Sequence, residues 1–216
     1  MNISKKSSPE IYIFDICDTL YNSNTTFDFC KWRKNKKYWE FLLWFSSTIL
    51  GKLINKISIT FFKKEFSRNL HLKSLSNINK DELYKEAILF TEIFLNKKKI
   101  NYTHNILEKL KNNNKDIYLI SASIDPVVEA ISKHLNVKFI SSELLYIDNI
   151  CQGSLKKDLL GNKHNLNFIN LSLVVTDNIS DYQLCRMSEQ SLIIINSKNK
   201  NFWIKNKLNG MILYEK

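Results

Sequence analysis

The feature that most constrains this chain is a set of short apolar runs, each ending abruptly in small polar or acidic residues. IYIFDI (11–16) is continuous, aromatic and β-branched, as a strand buried on both faces must be. IYLIS (117–121) and LSLVVTD (171–177) repeat the design, and SLIIIN (191–196) and GMILYE (210–215) add two further strands. Helical patterns separate the later runs. Strands alternating with helices predict a parallel sheet covered by helices, a Rossmann-like α/β fold. In such sheets ligands bind beyond the carboxyl ends of the strands, where the polar residues of these runs lie.

About a hundred residues separate the first two strands, too many for one crossover helix. Residues 38–66 are dense in aromatics. NKDELYKEAILFTEIF (79–94) carries acids in its first turn and apolar residues at helical spacing. Ile106, Leu107 and Leu110 form a further stripe leading back to the sheet. The expected organisation is an α/β core of residues 10–24 and 100–216, with a helical cap of residues 25–99 inserted after the first strand.

Composition narrows the partners. The chain has 216 residues, 44% of them hydrophobic, enough for a substantial core. Its formal charge of +11 invites a nucleic-acid reading. No zinc-finger spacing, helix-turn-helix pattern or aromatic RNA-binding motif accompanies it, and the background is rich in Lys, Asn and Ile, so no nucleic-acid partner is expected. Four cysteines (Cys17, Cys30, Cys151, Cys185) lack any paired spacing, which argues against a zinc site. The polar opening MNISKKSSPE reads as a loose terminus rather than a signal peptide, and the expected setting is cytoplasmic, with reduced thiols. FLLWFSSTILG (41–51) is too short to span a bilayer. The basic run KWRKNKK (31–37) before the aromatics is compatible with peripheral contact to an anionic membrane. Oligomeric state is not encoded in any pattern found.

Four separated pieces carry chemistry: FDICDTL, ISAS, CQGSLKKDLLG and VVTDNISD. Phosphoryl transfer needs a nucleophile, a metal to neutralise phosphate oxygens, and donors around the transferred group. Asp15 suits the nucleophile, as a carboxylate at a strand end. Asp15 and Asp177 together suit Mg2+, which takes few carboxylates plus water and substrate phosphate. The Ser121 hydroxyl and the backbone amides after it, Ala122 first, suit a phosphate at a helix N-terminus. Lys156, three residues after Gly153, offers a fixed positive charge, with Lys157 as its competitor.

This order resembles the haloacid dehalogenase superfamily, and the helical cap directly after the first motif resembles its phosphoserine-phosphatase-like branch. SASIDPVVEAISKHL (121–135) is similar to that branch's second motif, Cys151 to Lys156 to its lysine motif, and TDNISD (176–181) to its metal-binding motif. The resemblance implies a Mg2+-dependent phosphatase with Asp15 as nucleophile, acting on a small phosphorylated substrate. It implies that Thr19 supports the turn beside the phosphate, that the Cys17 carbonyl joins the metal, and that Asp181 orients the metal shell or the lysine. The family pattern is D-x-D-x-T, and this chain reads Asp15-Ile16-Cys17-Asp18-Thr19. The usual second acid, which handles the leaving group's proton, is therefore a thiol. Either Cys17 donates the proton or Asp18 takes the role by a shift of register. A phosphatase of lipid or polysaccharide-precursor phosphates and a non-catalytic phosphate-binding module are the two alternative functions.

Overall fold

The computed structural model describes residues 10–33, 37–62 and 65–215. Seven strands form one sheet in the order β4-β3-β2-β1-β5-β6-β7, parallel except for the β3–β4 hairpin. The strands are β1 Ile11–Phe14, β2 Asp116–Ile124, β3 Lys138–Ile147, β4 Ile150–Lys157, β5 Leu171–Thr176, β6 Gln190–Ile195 and β7 Met211–Glu215. The chain runs outward from β1 through β2 to β3, then returns to β5 on the other side of β1. That reversal opens a crevice at the carboxyl end of β1.

Side-chain alternation divides the core. Phe14, Leu119, Val175 and Ile194 point to one face of the sheet, while Ile13, Ile120, Val174 and Ile193 point to the other. The second face is covered by α8 (Tyr182–Arg186) and α9 (Lys200–Lys205), with Trp203 fully buried. The first is covered by α7 (Asp125–Leu135), and its buried cluster continues into the helices between β1 and β2.

Those helices are α1 Thr25–Trp32, α2 Lys37–Ser47, α3 Ile49–Phe62, α4 Phe66–Lys73 and α5 Lys80–Leu89, followed by a π-helical turn (Phe90–Phe94) and a 3-10 turn (Leu95–Lys98). Asn24 and Asn79 cap α1 and α5 with side-chain oxygens. The chain re-enters the core beside its exit: Ile100 N–H donates to the Leu20 carbonyl (2.9 Å) and Asn22 N–H to that of Lys98 (2.8 Å). Helix α6 (Asn101–Asn112) then leads to β2, with Leu107 buried as its stripe predicts.

The β3–β4 hairpin was not among the strands legible as apolar runs. Its polar Ser141, Ser142 and Glu143 interrupt the pattern, and Asp148 and Asn149 turn it with φ of 48° and 65°, the geometry of a tight two-residue hairpin turn. The hairpin is tied to the helices: Cys151 N–H donates to the Ile78 carbonyl (2.8 Å) and Asn77 N–H to that of Cys151 (2.9 Å). Gly153 belongs to this seam. Its φ is +66°, and a Cβ there would lie 2.1 Å from Ser76 Oγ and 3.0 Å from the Leu72 carbonyl oxygen. Glycine is required so that the end of α4 can rest on β4.

Gly153→Ala should therefore lower stability by about 1–3 kcal/mol in urea denaturation. Adding Ser76→Ala should recover only part, because the backbone contacts and the left-handed φ remain.

Candidate active site

Asp15 follows the last residue of β1 and stays in line with the sheet because its N–H donates to the Val175 carbonyl (2.9 Å). The chain then turns sharply. The Ile16 carbonyl accepts the N–H groups of Leu20 (3.0 Å) and Tyr21 (3.1 Å), and Asp18 adopts a left-handed φ of 51°. Asp15 is buried at 4% exposure, with Lys163 Nζ 2.8 Å from its Oδ1. The same ammonium lies 2.8 Å from Asp181 Oδ2, which also accepts the Thr176 hydroxyl (2.8 Å). Burial pushes the Asp15 carboxyl up, against the pull of Lys163. For Lys163, burial opposes the charged form, but the two carboxylates outweigh it and its pKa is raised.

The lysine of the site is thus Lys163, not Lys156. Lys156 and Lys157 sit exposed on β4; Lys156 lines an outer cavity with Lys80, Tyr84 and Asp125, and Lys157 pairs with Glu143 at 3.8 Å. An edge strand of the hairpin does not deliver either side chain to the end of β1. Lys163 comes from a 3-10 turn (Lys163–Leu166) between β4 and β5. The Gly-x-x-Lys spacing that favoured Lys156 instead reflects the close packing at Gly153.

Asp177, directly after β5, is joined to the β1 turn through Thr19. The Thr19 hydroxyl accepts the Asp177 N–H (3.0 Å) and donates to Asp177 Oδ1 (3.3 Å). Thr19 is wholly buried in this role, so it fastens the acidic loop rather than binding phosphate. Asn199 supports the loop from behind, donating to the Asp177 carbonyl (2.6 Å) and the Ile194 carbonyl (2.9 Å). Burial, then the charges of Asp15 and Asp18, push the Asp177 carboxyl up to about 8.

An inner cavity of about 170 Å³ brings together Asp15, Cys17, Ser121, Ala122 and Lys163, with Arg68 of α4 on its wall. Ser121 is buried and accepts the Ser123 N–H (3.3 Å), which leaves its O–H as a donor. Ala122 lies where β2 and β3 lose register, between Ser121 and Ile124. An adjoining cavity of about 630 Å³ holds Asp15, Cys17, Asp18 and Asp177. Asp18 borders only this outer space, on the Asp177 side, while Cys17 borders both. The register shift that would exchange their roles does not occur.

Polar groups gather on one side of the Cys17 sulfur. Thr25 N–H donates to it (3.3 Å), and the hydroxyls of Thr25 and Ser123 lie 3.3 Å away and 2.6 Å from each other. Burial and the negative charge of Asp15 push the thiol up to about 11. Thr25, Arg68 and Lys163 were not singled out in the sequence, and Ser123 entered only as part of the ISAS run. Arg68 binds Asp158 with two nitrogens (2.7 and 2.9 Å) and the Ala122 carbonyl (2.9 Å), using three of its five N–H donors.

The donor set fits Mg2+ on its own chemistry. Asp177 is held beside two other acids with its affinity for a proton raised, a place where a cation relieves repulsion. Among the described residues no three His, Cys, Asp or Glu side chains form an all-protein metal cage. Two carboxylates, Asp15 and Asp177, with the Cys17 carbonyl and water suit a hard octahedral ion instead.

The chain resembles several solved structures in overall fold. A protein with unknown function from Bordetella pertussis Tohama I superposes with a TM-score of 0.70 at 13% identity, covering 95% of this chain and 99% of that one. A phospho-aspartyl intermediate analogue of phosphoserine phosphatase gives 0.60 at 12% identity, covering 97% and 94%. A HAD family hydrolase from Salmonella enterica serovar Typhi gives 0.63 at 15% identity, covering 96% and 68%. The chain has the haloacid dehalogenase fold. No protein-family model matches the sequence, and no curated protein matches it.

Lys163→Met should lower stability by about 3 kcal/mol at neutral pH in urea denaturation, because it strands two buried carboxyls. Lys156→Met should stay within about 0.5 kcal/mol of the parent. Asp177 gives a pH signature. From about pH 4 to about pH 8 the folded metal-free chain keeps a proton there that the unfolded chain releases, so this group makes stability fall as pH rises. The stability difference between wild type and Asp177→Asn should decline across that window, and Mg2+ should restore the wild type alone near pH 8.

Proposed function

We propose that this chain is a Mg2+-dependent phosphomonoester hydrolase that works through a phospho-aspartyl intermediate on Asp15. The observation that carries the reading is the buried Asp15–Lys163–Asp181 constellation opening into a cavity lined by Ser121, Ala122 and Arg68. Lys163 favours the ionised form of Asp15 against its burial, and Ser121 O–H and the Ala122 backbone receive phosphate oxygens. Held by Asp15, Asp177 and the Cys17 carbonyl, Mg2+ would supply charge neutralisation for the phosphate. Asp15 attacks phosphorus, the bond from phosphorus to the leaving oxygen breaks, and that oxygen takes a proton. Water then attacks the phospho-aspartate, breaking the bond to Asp15 and releasing inorganic phosphate.

Cys17 divides these two steps. A thiol near pKa 11 is a stronger acid than an alcohol, so it can protonate a departing alkoxide. At neutral pH it is restored as a thiol, and a thiol cannot accept a proton from the attacking water. The first half-reaction is supported and the second is slow. The three donors around the sulfur, Thr25 N–H and the Thr25 and Ser123 hydroxyls, also suit a carboxylate.

The small inner cavity supports a small phosphorylated metabolite as substrate, within a cytoplasmic setting. The helical cap reading of residues 25–99 gives α4 the selective role, through Arg68. A second reading, a lipid or polysaccharide-precursor phosphate met at an anionic membrane, is favoured by the bare apolar surfaces of α2 and α3. A non-catalytic phosphate-binding module has less support, since it has no use for a buried lysine shared by two acids.

With a generic phosphomonoester and Mg2+, wild type should release about one equivalent of alcohol quickly and then turn over slowly. Asp15→Asn should do neither. Cys17→Asp should raise the steady rate about 10²-fold or more. Equal rates in wild type and Asp15→Asn would overturn the proposal.

A further inference from the structure

Helices α2 and α3 form a fixed corner. Thr48 N–H and O–H both donate to the Phe45 carbonyl (2.9 and 2.7 Å), and Thr48 Oγ1 accepts the Gly51 N–H (3.2 Å). A Cβ at Gly51 would lie 2.4 Å from the Phe45 carbonyl oxygen, so the bend needs glycine. Farther along α3, Asn55 Oδ1 accepts the Ser67 N–H at the start of α4 (2.9 Å).

This ordered corner leaves a large apolar face uncovered among the described residues. Leu50, Leu53, Ile54 and Ile57 recur at helical spacing on α3 and are 63%, 53%, 41% and 47% exposed. Phe41 and Trp44 on α2 are 60% and 62% exposed. Lys52 and Lys56 stand one turn apart beside the α3 stripe, exposed, and Lys37 begins α2. Glu40 is the single acid in the sequences of the two helices.

We infer that this face docks on an anionic lipid bilayer. Apolar side chains enter the boundary between headgroups and acyl chains, Trp44 sits at headgroup level, and the lysines meet lipid phosphates. A second copy of the chain is the poorer occupant, because a self-complementary contact would bring the same lysines together on chains that each carry +11. Crossing the bilayer is not the mode, since no helix among the described residues is long and apolar enough. The inference goes beyond the catalytic reading and does not need it.

The test is co-sedimentation of the full chain with phosphatidylcholine vesicles containing or lacking roughly 30% phosphatidylglycerol. Binding to the anionic vesicles should be at least about tenfold tighter than to the neutral ones, and weaker in high salt. Leu53→Glu with Ile57→Glu should weaken it about tenfold or more, and Lys52→Gln with Lys56→Gln should reduce the preference for anionic lipid. Both pairs lie at exposed positions outside the cavity walls, so unchanged far-ultraviolet dichroism will accompany the loss. Asp15→Asn should bind as wild type does, which separates docking from catalysis. Absence of binding, or equal binding by Leu53→Glu/Ile57→Glu, would overturn the inference. So would a wild-type dimer in sedimentation velocity that this pair dissociates, which would assign the face to a second copy.

Discussion

The site depends on one ammonium group. Lys163 reaches two carboxylates from different parts of the chain, Asp15 at the end of β1 and Asp181 after β5. None of the three could stay charged at that depth alone, because taking an isolated ion out of water is prohibitively unfavourable. Together, with the Thr176 hydroxyl on Asp181, they close a network of alternating charge. Its position explains the loop architecture: the 3-10 turn must bring residue 163 across the crevice, and β1 and β5 must be neighbours. The parallel sheet supplies that adjacency by placing β5 directly beside β1.

Much of this arrangement was legible because buried parallel strands have a strong signature. All five apolar runs read from the sequence are strands, and Asp15 and Asp177 directly follow β1 and β5 as expected, whereas Ser121 lies inside β2, which continues to Ile124. The hairpin of β3 and β4 was less legible because its serines interrupt the run. Ser142 faces inward to receive the Leu159 N–H (3.0 Å), a tertiary contact with no sequence pattern of its own. The lysine was misassigned for a related reason. In a chain with 32 Lys and Arg residues, one more lysine carries no information, and Gly-x-x-Lys was a spacing whose glycine answers to packing against Ser76. Arg68 and Thr25 come from the helices between β1 and β2 and reach the site only through folding, so no local pattern marks them, while Ser123 belongs to the ISAS run.

The helices between β1 and β2 do more than cover the sheet. A single buried cluster runs from Phe14 and Leu119 through Phe29, Leu72, Leu83 and Phe90, so sheet and helices share one interior. Arg33, at the end of α1, pairs with Glu86 on α5 (2.5 Å) and holds two of these helices together. α4 is the joint of the assembly. It rests on β4 at Gly153, donates its Ser67 N–H to Asn55 of α3, and extends Arg68 to the cavity wall. The uncovered corner and the inner cavity are therefore mechanical neighbours.

The setting of Cys17 bears on chemical durability. Sulfur beside a catalytic centre is usually a target for peroxide, because the thiolate is the species that reacts. With a pKa of about 11, only about one Cys17 in 10⁴ is ionised at pH 7. The carboxylate of Asp15, which raises that value, also repels anionic oxidants. The Thr25 and Ser123 hydroxyls, 2.6 Å apart, crowd one side of the sulfur. The scarcity of thiolate follows from the burial and the Asp15 charge that raise the thiol's pKa, so this sulfur resists oxidative loss.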